Sequence, residues 1–167
     1  MNGIEGRQAG HKHSDRDRIY TPIGLAKILI SKIPADSHED SWCDPAYGSG
    51  VFYENFPTDD KTYFEIDHGK DFLLSPHDRQ YDWVVTNIPF SQPKEFIFKM
   101  AELCVKGLGI LCLANSMTAT RLKKLETMGL YLFSMTVLYV PEWGFGYRTD
   151  FYVFTRYKSE KFDVIRA

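Results

Sequence analysis

Apolar and polar positions along this chain recur with two different periods. From Ile23 to Ile33 (IGLAKILISKI) the apolar residues return at the spacing of one helical face. Thr21 suits the N-cap of that helix, Pro22 suits its first position, and Pro34 ends it. A polar loop (ADSHED) leads to Ser41-Trp42-Cys43-Asp44, which reads as a strand ending in an acid. Gly48-Ser49-Gly50 follows, then a short helix or turn around Val51 to Asn55. Lys61 to Asp67 (KTYFEID) is a β-rich run that again ends in acids, and Asp71 to Leu74 is a short segment before a polar loop. Tyr81 to Asn87 (YDWVVTN) reads as a strand broken by Ile88-Pro89-Phe90. Helical spacing returns over residues 92–106, a buried strand is expected over Gly109 to Asn115, and a second helix over Thr118 to Met128. Tyr131 to Val140 and Phe151 to Tyr157 are the last expected strands, joined by PEWGFGYRTD. Strands alternating with helices, closed by two strands that suit an antiparallel pair, predict an α/β fold.

The pattern contains no repeat and no linker. Residues 1–18 read as a polar leader with little to pack, and 19–167 as one domain. With 44% hydrophobic and 25% charged residues, the composition is that of a globular chain. No apolar run reaches the roughly 20 residues of a membrane span, and the first residues lack the apolar core of a secretory signal. An intracellular location is therefore expected, in the cell's own cytoplasm or, for a viral protein, the host's. Cys43, Cys104 and Cys112 are scattered within apolar segments, which predicts buried small side chains rather than a disulfide or zinc set. His11 and His13 lie in the polar leader and read as solvated; no metal is expected.

Charge narrows the choice of partner. The formal net charge is −2, and the basic residues are dispersed, with small groups at Arg16 and Arg18 and at Arg121, Lys123 and Lys124. Asp15 and Asp17 offset the first group. A protein that grips duplex DNA unaided usually presents a basic stripe, so weak binding or help from a partner is expected here.

In open α/β sheets ligands gather at the carboxyl ends of strands, where Asp44, Glu65, Asp71 and Asn87 are expected to fall. Asp44-Pro45-Ala46-Tyr47-Gly48-Ser49-Gly50 sets an acid before a tight glycine turn, which lets backbone approach a ligand closely. It lacks the Gly-Lys-Ser/Thr of a phosphate-binding loop. A carboxylate such as Glu65 can accept both hydroxyls of a ribose, and Asp71 with Phe72 could hold an amine and a ring or simply cap a turn. Asn87-Ile88-Pro89-Phe90 suits a planar base bearing an amino group. The Asn87 side-chain oxygen and the Ile88 carbonyl can each accept from the amine. Phe90 can stack on the ring, a contact worth about 1–3 kcal/mol.

Together these pieces resemble, in chain order over about residues 19–115, the gamma-type arrangement of adenine-N6 methyltransferases. Tyr20-Thr21-Pro22 resembles the N-terminal cofactor motif, Asp44 to Gly50 the D-P-x-x-G-S-G loop, and Glu65-Ile66-Asp67 the ribose-binding acid. Asp71-Phe72 is similar to the pair that holds the cofactor's adenine, and Asn87 to Phe90 to the catalytic Asn-Pro-Pro-aromatic tetrapeptide. The resemblance implies a Rossmann-like class I fold, with a mostly parallel seven-stranded sheet and a C-terminal antiparallel pair. It implies S-adenosyl-L-methionine as cofactor, bound by Tyr20, Thr21, Asp44, Pro45, Ala46, Gly48, Gly50, Glu65, Ile66, Asp71, Phe72 and Asn87. Asn87, Ile88, Pro89 and Phe90 would be catalytic, in direct methyl transfer to an adenine taken out of its stack.

Tyr47 and Ile88 depart from the family's usual residues, and no segment is long enough for the family's separate target-recognition domain. A partner subunit or a second copy is therefore expected to supply target recognition. Trp143, Phe145 or Tyr147 could cover the other face of the base, or pack on the sheet edge. DNA is the favoured substrate, by analogy with compact phage and plasmid methylases. RNA adenine methylation, protein glutamine methylation and a catalytically silent subunit are the alternatives.

Overall fold

The computed structural model describes residues 19–36, 38–143 and 146–158, with the backbone alone of Glu142 and of Asp163–Arg166. The 1–18 leader with His11, His13, Arg16 and Arg18, and the loop residue Phe145, lie outside the described residues. The elements in order are α1 (Ile23–Ile30), β1 (Trp42–Asp44), β2 (Lys61–Tyr63), β3 (Tyr81–Asn87), α2 (Pro93–Leu103), β4 (Cys104–Leu113), α3 (Ala119–Thr127), β5 (Tyr131–Leu138), β6 (Thr149–Thr155) and β7 (Asp163–Arg166). One sheet runs β2-β1-β3-β4-β6-β5, and the β7 backbone lies along β5. β2, β1, β3 and β4 are parallel neighbours, while β6 enters antiparallel between β4 and β5.

Period-two alternation divides the apolar side chains between the two faces of this sheet. On one face Val84 of β3, Leu108, Ile110 and Cys112 of β4, and Tyr152 and Phe154 of β6 meet Ile97 and Met100 of α2 and Leu125 of α3. On the other, Trp83, Val85, Leu111, Phe151 and Val153 meet Ala26, Leu29 and Ile30 of α1. The three cysteines are buried free thiols, as their apolar surroundings predict. At the amino end of the strands, Asp40 accepts from the Trp83 indole at 2.9 Å and from Lys106 Nζ at 2.5 Å, which fixes β3 against β4.

Several boundaries differ from the sequence reading: α1 stops at Ile30, before Pro34, β2 stops at Tyr63 rather than Asp67, and β6 spans Thr149–Thr155 rather than Phe151 to Tyr157. α1 begins at Ile23 with Pro22 as its N-cap, and no side chain caps it. Thr21 is not the cap; it is buried, and its hydroxyl faces Asn87. The helix expected over 92–106 stops at Leu103, and β4 begins at Cys104 rather than at Gly109. The helical spacing continues past Leu103 in sequence, but pairing of Cys104 with Tyr81 of β3 takes the backbone first. Arg156 braces this abrupt change of conformation by donating to the carbonyls of Ala101 (2.9 Å) in the last turn of α2 and of Cys104 (3.0 Å) at the start of β4. Asp71 to Leu74, read only as a short segment, forms turns. Among the described residues, no helix is long and apolar enough to cross a membrane.

Gly107 permits the close approach of β4 and β6: a Cβ there would stand 2.2 Å from the Phe154 carbonyl oxygen and 2.6 Å from the Trp83 ring.

Candidate active site

The carboxyl ends of β1, β2 and β3 lie side by side, so the residues that leave those strands share one edge of the sheet. Asp44 ends β1, Glu65 follows β2, and Asn87 ends β3. Asp44 is fully buried. Its Oδ1 accepts from the Thr86 hydroxyl at 2.6 Å and from the Ala46 amide at 3.2 Å, while Oδ2 has no hydrogen-bond partner among the described residues. Burial pushes the Asp44 carboxyl up to about 7, against the opposing pull of Thr86 and the Ala46 amide. Asp44 is thus the pin beneath the glycine turn, joining β1 to β3.

The turn itself depends on two left-handed glycines, Gly48 at φ +53° and Gly50 at φ +78°. A side chain at Gly50 would strike the Tyr47 ring at 2.5 Å. Glu65 is buried, accepts from Gly48 N–H at 2.8 Å through Oε2 and from Asp67 N–H at 3.2 Å through Oε1. The carboxylate therefore bridges the glycine turn and the end of β2. Tyr20 packs its ring over Gly48, 3.6 Å from where a Cβ would sit.

Asn87 donates through Nδ2 to the Ile19 carbonyl at 3.0 Å and to Thr21 Oγ1 at 3.4 Å. Because the nearer partner is a carbonyl oxygen, the amide nitrogen must face it, and Oδ1 remains an acceptor. Ile88 places its side chain in the core and donates its N–H to the Leu111 carbonyl at 3.0 Å, continuing the β3–β4 pairing. Trp143 closes the arrangement by donating its indole N–H to the Tyr20 carbonyl at 2.9 Å.

A cleft of about 50 Å³ is lined by Tyr20, Thr21, Ala46, Tyr47, Gly48, Ser49, Glu65, Asn87 and Pro89, together with Ile19, Val51 and Phe52. Tyr20, Thr21, Ala46, Gly48, Glu65, Asn87 and Pro89 are thereby brought together as the sequence suggests. Asp44, Pro45 and Gly50 support the wall from behind and are buried. Ile66 begins a 3₁₀ turn beside Glu65, and Phe90 is half-buried just past Pro89.

Asp71 and Phe72 do not join this lining. Asp71 Oδ1 accepts from the amides of Leu73 (2.8 Å) and Leu74 (3.3 Å), so it caps its own turn. Phe72 is buried among Phe64, His77 and Phe96, where its ring completes an aromatic core. Sequence reasoning also passed over Ile19, whose contribution is a main-chain carbonyl and leaves no mark on residue type. The partners of Tyr47 were missed as well: its ring lies 4.4 Å from that of Tyr63 and 5.7 Å from that of Tyr53. The repeated tyrosines at 47, 53 and 63 were the available signal.

No protein-family model and no curated relative matches the sequence. Among solved structures the chain is similar to the methyltransferase subunit of a type I restriction-modification system from Streptococcus thermophilus, with TM-score 0.66 and 13% identity. That match covers 95% of this chain and 48% of the other. It is also similar to TrmN from Thermus thermophilus, with TM-score 0.55, 16% identity, and coverage of 80% and 48%. A third is magnesium protoporphyrin IX methyltransferase from Synechocystis with bound S-adenosylmethionine: TM-score 0.56, 12% identity, and coverage of 80% and 79%. The fold is that of the methyltransferases. Within that methyltransferase fold the chain spans 43–48% of the length of the type I modification subunits it matches.

Proposed function

We propose that this chain methylates the N6 amine of adenine in a nucleic acid, with S-adenosylmethionine as donor and DNA as the favoured substrate. One observation carries the reading. Asn87 and Pro89 line the same cleft as the glycine turn and Glu65, so the base-gripping tetrapeptide faces the edge where an α/β sheet binds nucleotides. The chain order of the motifs, ending in Asp-Pro-Ala-Tyr-Gly-Ser-Gly and Asn-Ile-Pro-Phe, and the similarity to a type I modification subunit support it.

The donor set suits the cofactor. The Glu65 carboxylate is turned toward the glycine turn by the Gly48 amide, and an acid at this place after a strand of an α/β sheet is the group type that accepts ribose hydroxyls. Space is the constraint. A cleft of about 50 Å³ is well below the roughly 300–1,000 Å³ of small-molecule sites. Tyr20 and Tyr47, which flank the glycine turn, must swing aside to admit a nucleoside. Asp71 and Phe72 shape the neighbouring turn and are given no direct contact.

The cofactor supplies a sulfonium methyl group. Asn87 Oδ1 and the Ile88 carbonyl accept from the adenine amine and hold its lone pair toward that group, and Phe90 stacks on the ring. When bound beside the glycine turn and Glu65, the donor would supply its methyl group to the amine nitrogen, its sulfur leaving as a neutral thioether, and the amine would lose one proton to solvent. Positioning and electrostatics account for the rate, without a strong base. Target recognition by a partner subunit or a second copy is part of this proposal.

The test is incubation with isotopically labelled donor and matched DNA and RNA pools, followed by nucleoside analysis. Label in N6-methyladenine is expected, in the DNA pool foremost. Label in cytosine or in protein glutamine, or none despite donor binding, would contradict the proposal. Absence of donor binding by calorimetry would identify a silent subunit.

A further inference from the structure

The same edge of the sheet carries a second cleft, of about 300 Å³, lined by Leu138, Tyr139, Val140, Trp143, Tyr147 and Arg148 among others. Leu138 of β5 pairs with Thr149 of β6, which pairs with Leu113 of β4, two residues beyond the Leu111 that pairs with Asn87. The Trp143 bond to Tyr20 joins the two clefts directly.

Two features set this cleft apart from an ordinary loop surface. Tyr139 is 84% exposed and Tyr147 71% exposed, so both present aromatic side chains at the surface of the cleft. Arg148 is anchored by a carboxylate with no exposure at all: Nε lies 2.9 Å from Asp150 Oδ1, and Nη2 lies 2.7 Å from Oδ2. The Tyr152 hydroxyl adds a third donor to Asp150 at 3.0 Å. The Arg148 side chain itself stays 55% exposed, and its Nη1 makes no hydrogen bond among the described residues. Burying a carboxylate is costly, and a half-exposed partner returns little stability. What the pair does achieve is a guanidinium held in one place with donors to spare, beside exposed rings. Arg121, bonded to the Ser116 carbonyl, adds a second cation near this edge, since the Ala114 amide in the same turn donates to the Arg148 carbonyl at 2.9 Å.

We infer that this cleft binds an unpaired nucleotide flanking the methylated one, with Tyr139 and Tyr147 stacking on bases and Arg148 holding a phosphate. The substrate is therefore single-stranded around its target. Aromatic stacking is the sequence-tolerant means of binding single strands, and it suits a chain whose net charge of −2 gives duplex phosphates little to grip. The inference deepens the methyltransferase reading and rests on it for the identity of the edge, but its test does not need methyl transfer.

The experiment is fluorescence anisotropy with labelled single-stranded DNA, single-stranded RNA and duplex DNA oligonucleotides, without donor, over a range of salt. The full chain is compared with Y139A/Y147A and with R148A/D150N, which removes the arginine without stranding a buried carboxylate. One or both single strands should bind at least about tenfold more tightly than duplex. Losing the rings should weaken single-strand binding roughly fivefold or more for each with the salt slope unchanged. Losing Arg148 should lower that slope by about 0.7. The pair of arms with DNA and RNA identifies the sugar preferred. Equal or tighter duplex binding, or tyrosine variants that bind as the parent does, would overturn the inference. Intact single-strand binding without methyl transfer would leave it standing and overturn the methylation proposal; unchanged KM and kcat in Y139A/Y147A would do the reverse.

Discussion

The Asn87 side-chain nitrogen and the Ile19 carbonyl oxygen meet at 3.0 Å across 68 residues of sequence. That bond orients the amide at the end of β3 and ties the segment before α1 across the cleft. Asn87→Asp keeps the shape but replaces the donor with an acceptor facing a carbonyl. It should lower methyl transfer about 100-fold or more and lower Tm by about 2–4 °C for a loss near 1 kcal/mol. Asn87→Ala should do the same to transfer. Single-turnover kinetics and thermal melts check both.

Asp44 makes folding stability depend on pH. Its carboxyl is raised from 3.8 to about 7 by burial, so the folded chain holds a proton that the unfolded chain releases. The stabilisation is fully present below pH 3.8, declines as pH rises, and is lost beyond about 7. Unfolding free energy from denaturant titrations should therefore fall between about pH 4 and pH 7, by up to about 1.4 kcal/mol per pH unit from this group. Asp44→Asn should flatten that portion of the curve.

Tyr47 and Gly50 form a coupled pair. Gly50→Ala meets both a left-handed φ of +78° and the Tyr47 ring at 2.5 Å. It should cost about 1–2 kcal/mol from backbone strain alone, with the clash added. Tyr47→Ala in the same chain should relieve the clash and leave the strain. By itself Tyr47→Ala should bind the donor several-fold more tightly, because the cleft no longer has to open. Denaturation and calorimetry on the four proteins measure both effects.

Two glycines with opposite surroundings provide a contrast. Gly107→Ala drives a Cβ to 2.2 Å from backbone oxygen in the sheet centre and should destabilise by at least about 3 kcal/mol. Gly24→Ala, exposed on α1 with nothing within 4 Å, should stabilise by about 1 kcal/mol. Denaturant titration of each separates close approach from helix propensity.

What the sequence disclosed, and what it withheld, follows from the range of the interactions. Tyr81–Asn87 was legible to the residue because its apolar run is bounded by a polar loop and a proline. The Asp44 and Asn87 positions followed from the same strand ends. The change from α2 to β4 between Leu103 and Cys104 was hidden, since pairing with β3 and the Arg156 bonds decide it and both are distant in sequence. Phe72 reads as a ligand-facing aromatic only until Phe64, His77 and Phe96 are seen around it. Thr21 has the composition of a cap, yet Asn87 claims its hydroxyl. Asp150 stands out as the one charged residue of β6, a signal that its contacts with Arg148 and Tyr152 explain.

The central claim is that the glycine turn, Glu65 and Asn87 together hold a methyl donor against a target base. A crystal structure with S-adenosylhomocysteine, the demethylated donor, tests it most directly. The account predicts the ribose hydroxyls on Glu65, the Tyr47 and Tyr20 rings displaced, and the sulfur turned toward Asn87. A nucleoside bound away from Gly48 and Glu65, or a crystal soaked at saturating ligand that leaves both tyrosines in place over an empty turn, would contradict it.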